Sequence, residues 1–157
     1  MKPKVYVETT VVSYLTAQAS RDLIVAAHQK VTRDWWERRR RRFDLYCSQL
    51  VVREAAAGDK KAAGRRLEVL VPLPLLEINQ AASRLARDLL IEAALPKKAA
   101  EDALHIALAA VHGMDYLLTW NCKHIANAEM RNAVGAVCSL HGCEPPVICT
   151  PEELMGG

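Results

Sequence analysis

Short runs of branched and aromatic apolar residues alternate along this chain with longer segments of helical periodicity. The apolar runs predict strands at residues 5–7, 43–47, 68–71, 116–119 and 147–149. The segments between them predict helices at residues 11–15, 22–42, 49–57, 60–66, 76–94, 97–112 and 125–141. Parallel strands need crossover connections, which helices usually supply. The alternation therefore predicts an α/β fold, a three-layer α/β/α sandwich around a central, mostly parallel sheet.

Small polar residues and glycine predict several helix ends. Thr9 and Thr10 carry hydroxyls suited to cap the first helix, and Ser48 is a candidate N-cap for the third. Gly113 is placed to end the Ala-rich sixth helix, because glycine readily adopts the left-handed conformation found after helices. These positions make the strand and helix boundaries testable.

The length and composition of the chain predict a single domain. Its 157 residues are 51% hydrophobic and 25% charged, and we assign residues 1–150 to one domain and 151–157 to a C-terminal tail. No apolar stretch approaches the about 18 residues of a membrane helix, and Glu8 interrupts the N-terminal apolar run. We therefore expect a cytoplasmic protein with no membrane partner.

Missing motifs exclude several common functional classes. The five cysteines are odd in number and form no C-x-x-C pair, which argues against a disulfide framework and a structural zinc site. The sequence contains no Walker A motif, no G-x-G-x-x-G and no G-x-S-x-G. The most common nucleotide-binding loops and the usual serine hydrolase are therefore excluded.

The two ends of the chain carry opposite charge. Residues 1–100 hold 19 Lys and Arg against 11 Asp and Glu, whereas residues 101–157 hold 2 against 7. Cationic side chains attract phosphates, and carboxylates bind divalent metals. The asymmetry is thus compatible with a protein that acts on a polyanion, although it also occurs as a simple solubilising charge distribution.

Four side chains with oxygen donors follow the predicted strands. Ligands of parallel α/β folds bind at the carboxyl ends of the strands, and the candidates there are Glu8, Glu54, Asp102 and Asn121. Carboxylates that converge at one edge repel one another unless a cation neutralises them. Hard oxygen donors without a Cys or His set favour Mg²⁺ or Mn²⁺. Such an ion has the properties needed to hydrolyse a phosphodiester.

Four blocks of the sequence resemble the PIN domain family, close to the VapC-like toxin nucleases. They are Val-Tyr-Val-Glu-Thr-Thr-Val-Val-Ser-Tyr-Leu at the start, Ser48-x₅-Glu54, Glu101-Asp-Ala-Leu-His-Ile-Ala-Leu-Ala, and Asp115-Tyr-Leu-Leu-Thr-Trp-Asn-Cys-Lys-His-Ile. The blocks occur in order across nearly the whole chain. The resemblance implies an α/β/α sandwich, a Mg²⁺- or Mn²⁺-dependent endoribonuclease, a homodimer and an antitoxin partner.

The resemblance also implies which residues act. The family's four acidic positions fall on Glu8, Glu54, Asp102 and Asn121. Glu8 is one methylene longer than the family's aspartate, and Asn121 keeps an oxygen but loses a charge. Three carboxylates remain, which is enough for one ion. The departures leave open an alternative, a weakened or inactive PIN-like module that binds RNA or a protein. A third interpretation is a metal-dependent DNase or a flap-type nuclease, but the chain is short for the additional elements that such an activity needs.

Three further residues are candidates for supporting roles. The hydroxyls of Thr9 and Thr119 flank the acidic positions and have the reach to orient a metal-bound water, or else serve as helix caps and turn residues. His105 lies three residues after Asp102 on the same helix. It either orients that carboxylate or moves a proton, or it is a packed structural histidine.

A cluster of arginines beside two tryptophans is the densest positive charge in the chain. The candidate binding residues are Trp36, Arg38, Arg39, Arg40 and Arg41. They are suited to contact RNA phosphates, to bind an acidic antitoxin segment, or to form a solvated helix end. The sequence does not distinguish these three interpretations.

Overall fold

A five-stranded sheet forms the centre of the molecule, which a computed structural model describes for residues 1–93 and 95–156. Its strands are β1 (Lys4–Val7), β2 (Asp44–Ser48), β3 (Leu75–Leu76), β4 (Tyr116–Leu118) and β5 (Val147–Cys149). They lie in the order β3-β2-β1-β4-β5, and every pairing is parallel. The predicted parallel sheet is confirmed.

Seven α-helices of the described residues connect these strands. They are α1 (Thr9–Thr16), α2 (Leu23–Arg38), α3 (Gln49–Ala55), α4 (Lys60–Leu70), α5 (Gln80–Glu92), α6 (Ala100–Val111) and α7 (Arg131–Leu140). Short 3₁₀ turns lie at Arg40–Arg42, Lys97–Ala99 and Ala128–Met130. None of the helices described is long and apolar enough to cross a membrane.

The direction of the strand order changes once, and this reversal separates the helices into two layers. From β1 the chain moves outward to β2 and β3, and then crosses back to β4 and β5. Because parallel crossovers are right-handed, α1 to α4 cover one face of the sheet and α5 to α7 cover the other. Contacts of α1 with α2, α3 and α4, and of α5 with α6 and α7, agree with these layers. The reversal lies between β1 and β4.

Buried residues of β1 lie at the centre of the core. Val5, Tyr6 and Val7 are all 0% exposed, since helices cover both faces of this middle strand. On the next strands Leu117 and Leu118 are also fully buried. The side chain that follows β1 is therefore held by a rigid element.

One predicted strand is wrong and one predicted helix is displaced. Residues 68–71, predicted as a strand, lie mainly in α4, which ends at Leu70. The helix continues because Leu67 and Leu70, three positions apart, both pack against the core. The edge strand β3 instead follows Pro74. The helix predicted at 76–94 begins at Gln80, with Asn79 as its N-cap, and residue 94 lies outside the described residues.

Other boundaries differ by shorter distances. The Ser48 cap and the Gly113 stop are confirmed, with Ser48 Oγ accepting from the Val51 N–H and Gly113 at φ +70°. At α1 the cap is the carboxylate of Glu8, and both threonines lie inside the helix. The long helix predicted at 22–42 ends at Arg38 and is followed by a 3₁₀ turn. The last predicted helix, 125–141, begins only at Arg131, after a loop and a 3₁₀ turn.

The C-terminal segment packs against α2. Trp35 is 0% exposed, and its indole N–H donates to the Leu154 carbonyl at 3.2 Å. Leu154 and Met155 also contact the core. Leu154 and Met155 of the predicted tail therefore contact the packed structure, and residue 157 lies outside the described residues.

Candidate metal centre

Polar and acidic side chains meet where β1, β2 and β4 end. Glu8 follows β1, Ser48 ends β2 and Thr119 follows β4. This edge lies beside the reversal between β1 and β4, where the connections diverge to opposite faces and leave a crevice. The topology therefore places the candidate site where ligands of parallel α/β folds bind.

Glu8 is a buried carboxylate that three donors hold in place. It is 3% exposed. Its Oε1 accepts the hydroxyls of Thr10 and Thr119, each at 2.5 Å, and its Oε2 accepts the Thr10 backbone N–H at 3.1 Å. The same carboxylate caps α1, where the helix dipole also favours negative charge. These contacts compensate the cost of burying a carboxylate and fix its direction.

Glu54 is held by a histidine and a threonine. The Nε2 of His105 lies 2.7 Å from Glu54 Oε1, and the Thr9 hydroxyl donates to the same oxygen at 2.5 Å. Burial alone would raise the pKa of Glu54, but these hydrogen bonds and the charge of His105 lower it to about 2. Glu54 is therefore ionised throughout the physiological pH range.

A chain of hydrogen bonds connects Glu54 with the interior of the sheet. The Tyr6 hydroxyl lies 2.7 Å from His105 Nδ1 and 2.8 Å from Ser48 Oγ. Burial raises the pKa of Tyr6 well above its usual value, so the hydroxyl remains protonated. An ionised carboxylate can only accept hydrogen bonds, so His105 donates to Glu54 through Nε2. Both ring nitrogens of His105 are therefore engaged with protein groups.

Asp102 and Asn121 form a second group. The Asn121 amide donates to Asp102 Oδ1 at 3.0 Å, and His124 Nδ1 lies 3.0 Å from Asp102 Oδ2. Asn121 Oδ1 also accepts the His124 backbone N–H. Both ends of the Asn121 amide therefore have protein partners.

Thr119 joins the two groups. Its hydroxyl donates to Glu8 and accepts the Asn121 backbone N–H at 2.9 Å. Glu8 and Asp102 thus belong to one connected network at the same edge of the sheet. Among the described residues, however, the compact cluster consists of Glu8, Glu54 and His105, whose ligand atoms lie within 4.8 Å of one another. Asp102 is not a member of that cluster.

The supporting residues contact the two glutamates. His105 contacts Glu54 and not Asp102, the carboxylate with which its position on α6 had associated it. The hydroxyls of Thr9 and Thr119 donate to Glu54 and Glu8, respectively, so they hold carboxylates; a role of these hydroxyls toward a metal-bound water stays a prediction. In each case the reason is that the acceptor nearest to the donor is a charged carboxylate, which makes the stronger hydrogen bond.

Sequence reasoning missed Glu101. A hydrogen bond with Glu54, partial burial and the negative charge of Glu54 raise the pKa of Glu101, so the two carboxyl groups interact. A spacing of four residues places Glu101 and His105 on one face of α6, toward Glu54. That spacing was available in the sequence and would have identified Glu101.

The donor set suits a hard divalent cation. Glu8 and Glu54 offer carboxylate oxygens within one small cluster, and two carboxylates at this distance repel each other. A divalent cation would relieve that repulsion. Because both ring nitrogens of His105 contact Tyr6 and Glu54, the donors left for a cation are carboxylate oxygens, which are hard ligands.

We expect the stability of the metal-free protein to report the ionisation of Glu54. Its pKa falls from 4.5 to about 2 on folding, so the stabilisation is present above about pH 5 and is lost as the pH falls toward about 2. A shift of this size corresponds to at most about 3 kcal/mol, and the raised pKa of Glu101 offsets part of it.

Urea unfolding in EDTA, from about pH 7 to about pH 3, measures this contribution in the wild type and in Glu54→Gln. The two stabilities should converge on acidification. A constant difference between them would show that the folded protein does not depress the pKa of Glu54.

The predicted basic binding segment lies at the amino-terminal end of the strands, opposite to the carboxylates. Arg38 to Arg42 immediately precede β2, whereas the carboxylate site is where β2 ends. The Arg40 guanidinium carbon lies 5.1 Å from the centre of the Trp36 ring. Arg39 packs against the C-terminal segment at Gly156. The two residues are so close that a Cβ at position 156 would lie 2.8 Å from the Nη2 of Arg39. The role of this segment remains a prediction, but it does not border the carboxylates.

Comparisons with known proteins agree with this architecture. The model of the PIN domain matches residues 5–125. A search of curated proteins gave no match.

Two solved structures share the fold at 13% sequence identity. A crystal structure of VapC20 from Mycobacterium tuberculosis, described as a toxin that cleaves the sarcin-ricin loop, has a TM-score of 0.61 and covers 79% of this chain and 95% of its own. A crystal structure of VapBC2 from Rickettsia felis, bound to a DNA fragment from their promoter, has a TM-score of 0.59 and covers 94% of this chain and 98% of its own. At this identity the likeness shows a common fold.

Proposed function

Because the chain belongs to the PIN domain family, we propose that it is a divalent-metal-dependent endoribonuclease that hydrolyses RNA phosphodiester bonds. We further propose that it is the toxin of a toxin–antitoxin pair, as a cytoplasmic homodimer with an antitoxin protein as partner. The structural neighbours, a toxin described as cleaving the sarcin-ricin loop and a VapBC2 assembly, support this assignment.

One observation carries the catalytic part of the proposal. Two carboxylates, Glu8 and Glu54, and His105 place their ligand atoms within 4.8 Å of one another at the strand ends. Each carboxylate accepts at least two hydrogen bonds that fix its direction. A prearranged pair of charged oxygens is what binding of a Mg²⁺ or Mn²⁺ ion requires.

The residues of this chain divide the work of phosphodiester hydrolysis. Glu8 and Glu54 would hold the cation, and Asp102, which is connected to Glu8 through Asn121 and Thr119, would add a third carboxylate. When bound, the cation stabilises charge on the phosphoryl oxygens and lowers the pKa of a water molecule. Tyr6 and His105 keep Glu54 ionised and directed at the site. Asn121 positions Asp102, because both ends of its amide already contact protein groups.

A second candidate function is a PIN-like module with weak or no catalysis. The observation that favours it is the engagement of the Asn121 amide by Asp102 and His124. A neutral side chain held in this way does not add the fourth charge that the resemblance implies. Calorimetric titration with Mn²⁺ distinguishes the two candidates, because the inactive module is expected not to bind the ion.

Cleavage of a defined RNA tests the proposed reaction. We expect purified protein to cut a sarcin-ricin loop oligonucleotide with Mn²⁺ or Mg²⁺, EDTA to stop the cleavage, and Asp102→Asn to abolish it. Asp34→Asn is the matched control, since Asp34 pairs with Lys30 on the surface of α2. Cleavage that persists in Asp102→Asn, or a competing DNA strand cut equally well, would contradict the assignment.

A further inference from the structure

A groove lies beside the first half of β2, at the end of the strands opposite to the carboxylates. Its volume is about 470 Å³, and it runs between the 3₁₀ turn Arg40–Arg42 and the proline-rich segment at residues 72–74. Leu45 and Tyr46 of β2 line it, together with Leu73. The groove therefore has apolar residues of a strand on one side and a basic turn on the other.

Along this groove, the side of β2 that faces away from β1 is only partly paired. β3 pairs with β2 only at Cys47 and Ser48. The Asp44 N–H donates to Pro3 on the β1 side, and the Cys47 N–H donates to Pro74 on the β3 side. Because backbone groups alternate along a strand, the Leu45 N–H and carbonyl face the β3 side, where no described residue pairs with them in the backbone hydrogen bonds. An open strand edge of this kind accepts an additional strand.

The side chains around this edge select the charge of an incoming segment. Arg40 and Arg41 line the groove, and Arg38 and Arg42, which are close to them in the chain, are exposed. Asp44 is the acidic residue that lines the groove among those described. Charge complementarity therefore favours an occupant rich in Asp and Glu.

We propose that this groove binds an extended acidic segment of a partner protein, which pairs with the β2 edge at Leu45. A peptide matches both the open backbone of Leu45 and the lining of the groove. The peptide backbone supplies a carbonyl and an N–H to pair with Leu45, and its alternate side chains reach the arginines and the apolar residues. Arginines alone would also attract RNA, but a nucleic acid backbone has no amide N–H and carbonyl to pair with those of Leu45. RNA is therefore the competing outcome of the test.

This binding does not depend on the proposed nuclease reaction. The two ends of the five-residue strand β2 are separated by about 13 Å at the usual rise per residue. A peptide in the groove and a metal at the carboxylates therefore occupy different sites. Failure of either proposal leaves the other intact.

The test uses a fluorescein-labelled peptide of alternating glutamate and valine, with fluorescence anisotropy as the readout on the full chain. We expect saturable binding that weakens with added salt. The double variant Arg40→Glu with Arg41→Glu should weaken it at least about tenfold. The matched control, Lys61→Glu with Arg65→Glu, makes the same charge change at exposed positions of α4 and should change the affinity less than about twofold.

Two further probes separate strand pairing from simple charge attraction. A peptide of the same sequence with alternate amides N-methylated keeps its charge but loses donors, and should bind at least about tenfold more weakly. Equal binding of both peptides, or equal loss in the control variant, would overturn the proposal. It would also be overturned if a polyuridine strand bound more tightly than the peptide through the same two arginines.

Discussion

Replacement of Glu8 by glutamine is expected to lower Mn²⁺ affinity and RNA cleavage at least about a hundredfold. The substitution keeps the size of the side chain and removes the charge that faces Glu54 within the 4.8 Å cluster. It also places an amide among three donors that now point at a carboxylate, which should reduce the free energy of unfolding by about 1–3 kcal/mol. Calorimetry with Mn²⁺ measures the first effect and urea unfolding the second.

A surface glutamate provides the control for this substitution. Glu37 is exposed on α2, and Glu37→Gln makes the same chemical change without altering binding or cleavage. The decisive comparison is the Mn²⁺ affinity of Glu8→Gln under conditions where it is fully folded. An affinity equal to that of the wild type would mean that the cation, if bound, is held elsewhere.

Trp35→Ala is expected to lower the free energy of unfolding by about 3–5 kcal/mol, the largest stability effect of any substitution considered. Trp35 is 0% exposed, stacks on Phe43 with ring centres 5.8 Å apart and donates to the Leu154 carbonyl. Its removal leaves a large cavity and an unpaired carbonyl, and it detaches the C-terminal segment from α2. Urea unfolding monitored by circular dichroism measures the loss.

The neighbouring indole is a matched comparison. Trp36 is only half-buried and lies beneath the Arg40 guanidinium, so Trp36→Ala should cost clearly less than Trp35→Ala. If the two substitutions had equal cost, the anchoring of the C-terminal segment by Trp35 would not be a main contribution to stability.

The strands and caps with strong local signals were predictable from the sequence. Ser48 begins α3 through a side-chain hydrogen bond to a nearby backbone N–H, and Gly113 ends α6 through its left-handed backbone conformation. Both predictions are confirmed. Residues 68–71 were mispredicted because a Val-rich stretch followed by proline favours a strand locally, while tertiary packing of Leu67 and Leu70 favours the helix. Local propensity does not contain that packing term.

The candidate site was predictable in its residue types but not in its grouping. Glu8, Glu54 and Asp102 follow from the strand ends and from the family resemblance, and the structure brings them to one edge of the sheet. Which carboxylate faces which depends on the rotation of α6, and a rotation of one residue exchanges Glu101 with Asp102 beside Glu54. Only the packing of α6 against the sheet determines that rotation.

Tyr6 connects the buried core of the sheet with the candidate metal centre. It is a fully buried strand residue whose hydroxyl contacts the histidine that holds Glu54. Loss of the hydroxyl in a phenylalanine would leave the buried Nδ1 of His105 without a partner and would remove one of the two contacts of Ser48 Oγ. Accepted changes at positions 6 and 105 should therefore occur as compensated pairs, so the two columns should covary among relatives even though neither residue faces solvent.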